Sequence, residues 1–267
     1  MAAQGISIID VFNPELPFVT EFRRLLHRLH NAGGTNELKA ILFTSAMLAE
    51  GKSTVCSFLA LTAARHKGIK TLMIDCDLRR PVLHRFLATR REPGLSDILT
   101  TGVSAETCIR KTEIPTLDFL PAGKPTPNPA EILNVDVIGH LIDEMKFYYD
   151  LIIIDTSPIL PVSDPMLLAP KVDGVVLVIK AGATQREVVH RAVEIIDSTK
   201  SKIIGVVLNN MDNSLPYYYN YGYYGYDYSA RDERPARQAD KKSSGSRKSA
   251  VKPPDNVTPA ESQTKRT

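Results

Sequence analysis

The sequence predicts an α/β fold, a mostly parallel sheet flanked by helices, from three observations. Apolar runs of strand length alternate with segments of helical spacing. The runs are continuous rather than alternating, as in strands buried on both faces of a parallel sheet. Carboxylates and a phosphate-loop pattern fall just beyond the runs, at the carboxyl edge where such sheets bind ligands.

Residues 1–37 form an N-terminal extension with an amphipathic helix. The first strand is "KAILFTS" (39–45), and "KSTVCSFLALTAARHKG" (52–68) has helical spacing after it. Two further strands follow, "KTLMIDCD" (70–77) and "TLDFLPAG" (116–123), then a helical stretch over 129–149. The remaining strands are "YDLIIIDTS" (149–157), "DGVVLVIKAG" (173–182) and "KIIGVVLNN" (202–210), with the helical segment 184–200 before the last. One domain, 38–215, holds all six runs.

Composition excludes several classes. No apolar run approaches the ~20 residues that span a bilayer, and the start lacks the basic and apolar regions of a secretory signal, so the chain is expected in the cytoplasm. Three scattered cysteines, Cys56, Cys76 and Cys108, fit a reducing compartment and small buried side chains. The net charge of +3 is unevenly placed: residues 229–267 carry ten Lys or Arg against five Asp or Glu, and the remainder is slightly acidic. That tail, rich in Ser, Lys, Arg and Pro, is expected to be disordered because it has too little apolar surface to offset its ordering entropy. Its charge reads as solvation, and no nucleic-acid partner is expected.

The first strand edge carries the chemistry most plainly. Ala46 and Gly51-Lys52-Ser53 match the pattern of a phosphate-binding loop between a strand and a helix. Backbone N–H groups and the helix N-terminus would face the anion, Lys52 would neutralise phosphate charge, and Ser53 would offer its hydroxyl to Mg²⁺. Leu48 and Ala49 depart from a glycine-rich loop. Asp75 and Asp77 close the second run and Asp155 the fourth; carboxylates there suit the hard oxygen shell of Mg²⁺, while any one of them could instead cap a turn.

The combination of "AEGKST", "LMIDCDLRRP", "LPAGKPTPNPAEIL" and "IIIDTSPILPVSDP", followed by a tyrosine cluster, resembles the bacterial tyrosine kinases of polysaccharide export. That family shares the P-loop fold of septum-positioning and partitioning ATPases. The resemblance runs from about Glu21 to Tyr228 and implies an ATP- and Mg²⁺-dependent protein-tyrosine autokinase of capsule or exopolysaccharide production. It implies that Ala49, Glu50, Gly51, Lys52, Ser53 and Thr54 cradle the nucleotide phosphates, that Arg79 completes the second motif, and that Asn209 meets the base. Ser53, Asp75 and Asp155 would serve the metal, and Asp75 or Asp77 would accept the phenolic proton. It further implies a separate membrane activator of polysaccharide chain-length control that recruits the chain to the inner face of the membrane, a ring-shaped homo-oligomer and a protein-tyrosine phosphatase. The family's ring motif, Glu-x-x-Arg-x-x-Arg, is met at Glu21 and Arg24 but ends in His27, and Ser157 stands where a second proline is usual. A nucleotide-switched scaffold of the partitioning type is the alternative; such relatives have a lysine where Met47 stands and lack a tyrosine tail.

Eight of the ten tyrosines lie in residues 216–228: Tyr217, Tyr218, Tyr219, Tyr221, Tyr223, Tyr224, Tyr226 and Tyr228. On composition alone this is an adhesive low-complexity tract. Beside a triphosphate site it reads as the substrate, with glycines that let successive phenols enter.

Overall fold

A computed structural model describes residues 7–34 and 37–210. In chain order the elements are α1 (Ile8–Val11), α2 (Pro17–Ala32), β1 (Ala40–Ser45), α3 (Lys52–Lys67), β2 (Thr71–Asp75), α4 (Leu83–Phe86), α5 (Leu95–Thr101) and α6 (Ala105–Cys108). They continue with β3 (Arg110–Lys111), β4 (Leu117–Leu120), α7 (Pro129–Ile132), α8 (Val135–Met145), β5 (Leu151–Asp155), α9 (Asp164–Leu168), β6 (Gly174–Lys180), α10 (Arg186–Ser198) and β7 (Ile203–Asn209). The tyrosine cluster 216–228 and the basic tail 229–267 lie outside the described residues.

The strands form one seven-stranded sheet in the order β3-β4-β2-β5-β1-β6-β7. Every pairing is parallel except the short β3–β4 contact. All six expected strands are present; β3 was not expected, being two residues long. From β1 the chain first moves to β2 on one side and later crosses to β6 on the other, so β1 lies at the switch in direction where a ligand crevice opens.

Period-two alternation splits the strand side chains between two cores. Ile41 and Phe43 pack towards α2 and α3 with Leu26, Leu29 and Leu59; Ala40 and Leu42 pack the other way with Ile138, Leu141 and Ile142 of α8 and Ile196 of α10. Helix α2 starts on Pro17 and buries Val19, Leu26 and Leu29, with Phe22 and Leu25 half-buried beside them, the spacing of one helical face. The extension therefore shares the core of the main body. Its Phe12, Phe18 and Phe22 all meet Phe58 of α3, at ring distances of 6.2, 5.0 and 5.5 Å.

Two sequence expectations are corrected. The stretch 129–149 is two helices, because the Asn134 side chain turns back to accept the amides of Asp136 and Val137 and so starts α8 afresh. The last strand is not buried on both faces: β7 is the sheet edge, and its Val206 and Leu208 are about half exposed.

Candidate active site

Strand β1 ends at Ser45, and its hydroxyl donates to the carbonyl of Met47 at 2.7 Å, opening the loop that returns into α3. Two residues of the loop are left-handed, Ala49 at φ 61° and Gly51 at φ 87°. Gly51 combines that backbone with a close approach, since a Cβ there would fall 2.0 Å from the Asn209 amide nitrogen and displace that side chain. Ala49 holds the same type of backbone without glycine's freedom, at a cost of roughly 1–2 kcal/mol. A glycine at position 49 would adopt this backbone without that cost.

The loop, with Ser53 and Thr54, lines a cavity together with Val82, Phe86 and Pro158. Ser53 is the second residue of α3 and is buried. The Lys52 ammonium donates to Asp77 at 3.0 Å and lies 3.6 Å from Asp155. Burial alone would lower its pKa, but the two carboxylates outweigh that and leave it raised, so the side chain is a fixed cation.

The three predicted aspartates do come together. Asp75 and Asp155 are register partners on β2 and β5, and Asp77 stands two residues further on. Their environments differ. Both oxygens of Asp75 are engaged by backbone, accepting the amides of Asp77 at 3.2 Å and Leu83 at 3.3 Å, so the fully buried carboxylate ties down the β2–α4 loop. Burial first, and then the charges of Asp155 and Asp77, push its pKa well up. Asp77 accepts the Arg80 amide on one oxygen and Lys52 on the other. Asp155 is raised to about 6 by burial, against the pull of Lys52 and the Ser53 hydroxyl, and its Oδ2 is buried without a hydrogen-bond partner.

Arg79 is not aimed at the phosphate loop. It makes a two-pronged pair with Asp164 at the start of α9, Nε to Oδ2 at 3.0 Å and a second N–H to Oδ1 at 3.3 Å. Asn209 ends β7, with its amide donating to the Glu50 carbonyl at 2.9 Å. Glu50 is buried, and its carboxylate accepts the Met47 amide at 2.8 Å and the hydroxyl of Thr184. Sequence reasoning missed Thr184 and Asp164. Asp164 sits inside the quoted "PVSDP", whereas nothing marks a lone threonine in "AGATQ".

A phosphate loop between β1 and α3, with carboxylates ending the neighbouring strand β5 and the next strand β2, defines a P-loop nucleotide enzyme. Residues 48–207 match the family model described as an AAA domain. The chain is 35% identical over 219 residues to the tyrosine-protein kinase YwqD of Bacillus subtilis, covering 82% of this chain and 91% of that one. It is 38% identical over 205 residues to the tyrosine-protein kinase CpsD of Streptococcus agalactiae, covering 76% and 88%. Among solved structures, the kinase domain of the Escherichia coli tyrosine kinase ETK superposes with a TM-score of 0.74 at 30% identity over 83% of this chain and 87% of that chain. The septum site-determining protein MinD of Pyrococcus horikoshii, complexed with Mg-ADP, superposes with a TM-score of 0.56 at 23% identity over 64% and 69%, a likeness of fold alone. The chain belongs to the bacterial tyrosine kinases, and it is a protein-tyrosine kinase rather than a scaffold ATPase.

Proposed function

We propose that the chain transfers the γ-phosphoryl group of ATP, with Mg²⁺, to tyrosines of its own 216–228 cluster, and thereby regulates polymerisation and export of a capsular or extracellular polysaccharide. The observation that carries the site is the Lys52 ammonium set between Asp77 and Asp155 where the phosphate loop enters α3.

The residues fit a magnesium ion shared with phosphate. Asp155 offers an orphaned, buried carboxylate oxygen beside the Ser53 hydroxyl. Among the described residues no group of three or more His, Cys, Asp or Glu side chains could cage a metal alone, which suits an ion that keeps water and takes its other oxygens from the nucleotide. Held by these residues, the ion would neutralise charge on the nucleotide phosphates. Asn209, lying against the loop through Glu50, is the residue this reading assigns to the base.

For transfer, the phenol oxygen bonds to the γ-phosphorus, the bond from phosphorus to the bridging oxygen breaks, and ADP leaves with that electron pair. The phenolic proton needs an acceptor, and Asp77 suits this better than Asp75, whose two oxygens are both held by backbone amides. When Lys52 moves from Asp77 to phosphate, it frees the carboxylate that receives the proton. Arg79 acts through Asp164 in this reading, fixing the loop that carries Asp77.

Recruitment to the membrane by a separate activator, assembly into a ring and reversal by a protein-tyrosine phosphatase complete the proposal. Among the described residues no helix is long and apolar enough to cross a membrane. The decisive experiment is Lys52→Met in the full chain, with phosphotyrosine on residues 216–228 followed by mass spectrometry after incubation with Mg-ATP. Loss of label with an unchanged circular dichroism spectrum is expected; a labelled tail in this variant would refute the site.

A further inference from the structure

Glu50 stands between the two left-handed residues of the phosphate loop, Ala49 and Gly51. Its own groups are committed to fixing the loop in that shape. One carboxylate oxygen accepts the Met47 amide at 2.8 Å, the other accepts the Thr184 hydroxyl, and the backbone carbonyl accepts the Asn209 amide at 2.9 Å.

Thr184 is equally placed. It lies in the turn between β6 and α10, where its hydroxyl oxygen accepts the Lys180 amide at 3.2 Å while its O–H donates to Glu50, so both capacities of the hydroxyl are used. The Ala181 amide donates to the Asn209 carbonyl at 2.8 Å and closes the circuit. Glu50 therefore joins the loops that leave β1 and β6 through its carboxylate, and the last residue of β7 through its backbone carbonyl. Ala49 is the point of weakness in this arrangement, because an alanine at φ 61° relaxes towards right-handed backbone when nothing holds it.

We infer that Glu50 and Thr184 are positioning residues for the nucleotide, and that the Thr184–Glu50 hydrogen bond does for this chain what a glycine at position 49 would do unaided. The inference rests on the nucleotide site proposed above. The bond acts before ATP arrives, by keeping the loop amides turned inward, so its loss weakens nucleotide binding and leaves turnover at saturation largely intact. A side chain that mattered only to overall stability would show neither that separation nor repair by a change at residue 49.

The test compares Thr184→Val, Thr184→Ser, Ala49→Gly and the Ala49→Gly/Thr184→Val pair in the full-length chain. ATP affinity is read by calorimetry, and KM and kcat from tail phosphorylation. Thr184→Val is expected to raise Kd and KM about tenfold, the worth of one hydrogen bond to a charged group, with kcat nearly unchanged. Thr184→Ser keeps wild-type affinity, and Ala49→Gly restores most of what Thr184→Val loses. Ala49→Gly by itself, which removes the left-handed strain, is expected to tighten ATP binding severalfold, and this arm holds even where Thr184→Val fails to fold. Wild-type affinity in Thr184→Val, no repair in the pair, or unchanged affinity in Ala49→Gly overturns the inference. Wild-type ATP affinity and labelling in Lys52→Met instead overturns the site reading on which it rests.

Discussion

Asp155 shows how a single carboxyl at the proposed metal site can be costly to the fold. Burial raises its pKa to about 6 despite the nearby Lys52 ammonium. A folded-state pKa above the ordinary carboxyl value near 3.9 means that the folded chain holds this proton more tightly than the unfolded one. The stability it contributes is fully present below about pH 4 and is lost as pH rises through about 6. Asp155→Asn keeps the neutral form at every pH. In urea unfolding of the nucleotide-free chain, its advantage over the wild type is therefore expected to be larger at pH 7.5 than at pH 5, while its Mg²⁺-dependent phosphorylation falls away. An advantage of equal size at both values would mean that the carboxyl is not the source. Asp77→Asn should behave differently if Asp77 is the base proposed above, losing about two orders of magnitude or more in kcat with ATP affinity close to wild type; single-turnover rates and calorimetry separate the two. These aspartates were legible in the sequence because each closes an apolar run, and parallel strands bring their ends to one edge. Thr184 and Asp164 were not legible, because their partners Glu50 and Arg79 are 134 and 85 residues away and meet them only through the folded arrangement of the chain.

Strands were more legible than helices, for a physical reason. A buried parallel strand announces itself by an unbroken apolar run, and all six such runs became strands of the sheet. A helix boundary depends on a few polar groups, and Asn134 divides a stretch whose apolar spacing continues across it. Its side chain satisfies two of the amides that open α8. Asn134→Ala is expected to cost about 1 kcal/mol of stability, measured by chemical denaturation, with kinase activity kept because α8 lies away from the phosphate loop. A loss of activity without loss of stability would show that α8 has a second role. The short helices α4, α5, α6, α7 and α9 have too few residues for a periodic signal, and β3 is shorter still. The edge position of β7 escaped a reading by composition, since its sequence is as apolar as that of its buried neighbours. Only the strand order leaves Val206 and Leu208 without cover.

At the scale of the molecule, the tyrosines divide by position. Tyr149 lies at the end of the sheet opposite the phosphate loop, where it is buried and donates to Asp118 at 2.7 Å, a packing role. The cluster begins eight residues beyond Asn209 and ends nineteen beyond it. Those lengths allow extended reaches of roughly 26 to 65 Å. A body of about 210 residues has a radius of gyration of ~17 Å and a diameter of about 45 Å, so the far tyrosines can reach either their own site or a neighbour's. The near ones are more constrained. Asn209 already touches the phosphate loop through Glu50, and Tyr217 to Tyr219 would have to reverse within a few residues and pass the base to arrive in line with the γ-phosphate. A neighbouring chain can present the same residues directly. Transfer between chains is therefore the expected route. Mixing a Lys52→Met chain that keeps its tail with an active chain truncated after Pro216 separates the routes, because only transfer between chains can label the inactive partner. Label on the Lys52→Met chain, at a rate that rises with total concentration, is expected; an inactive chain that stays unlabelled across the whole range would leave transfer within one chain as the only course.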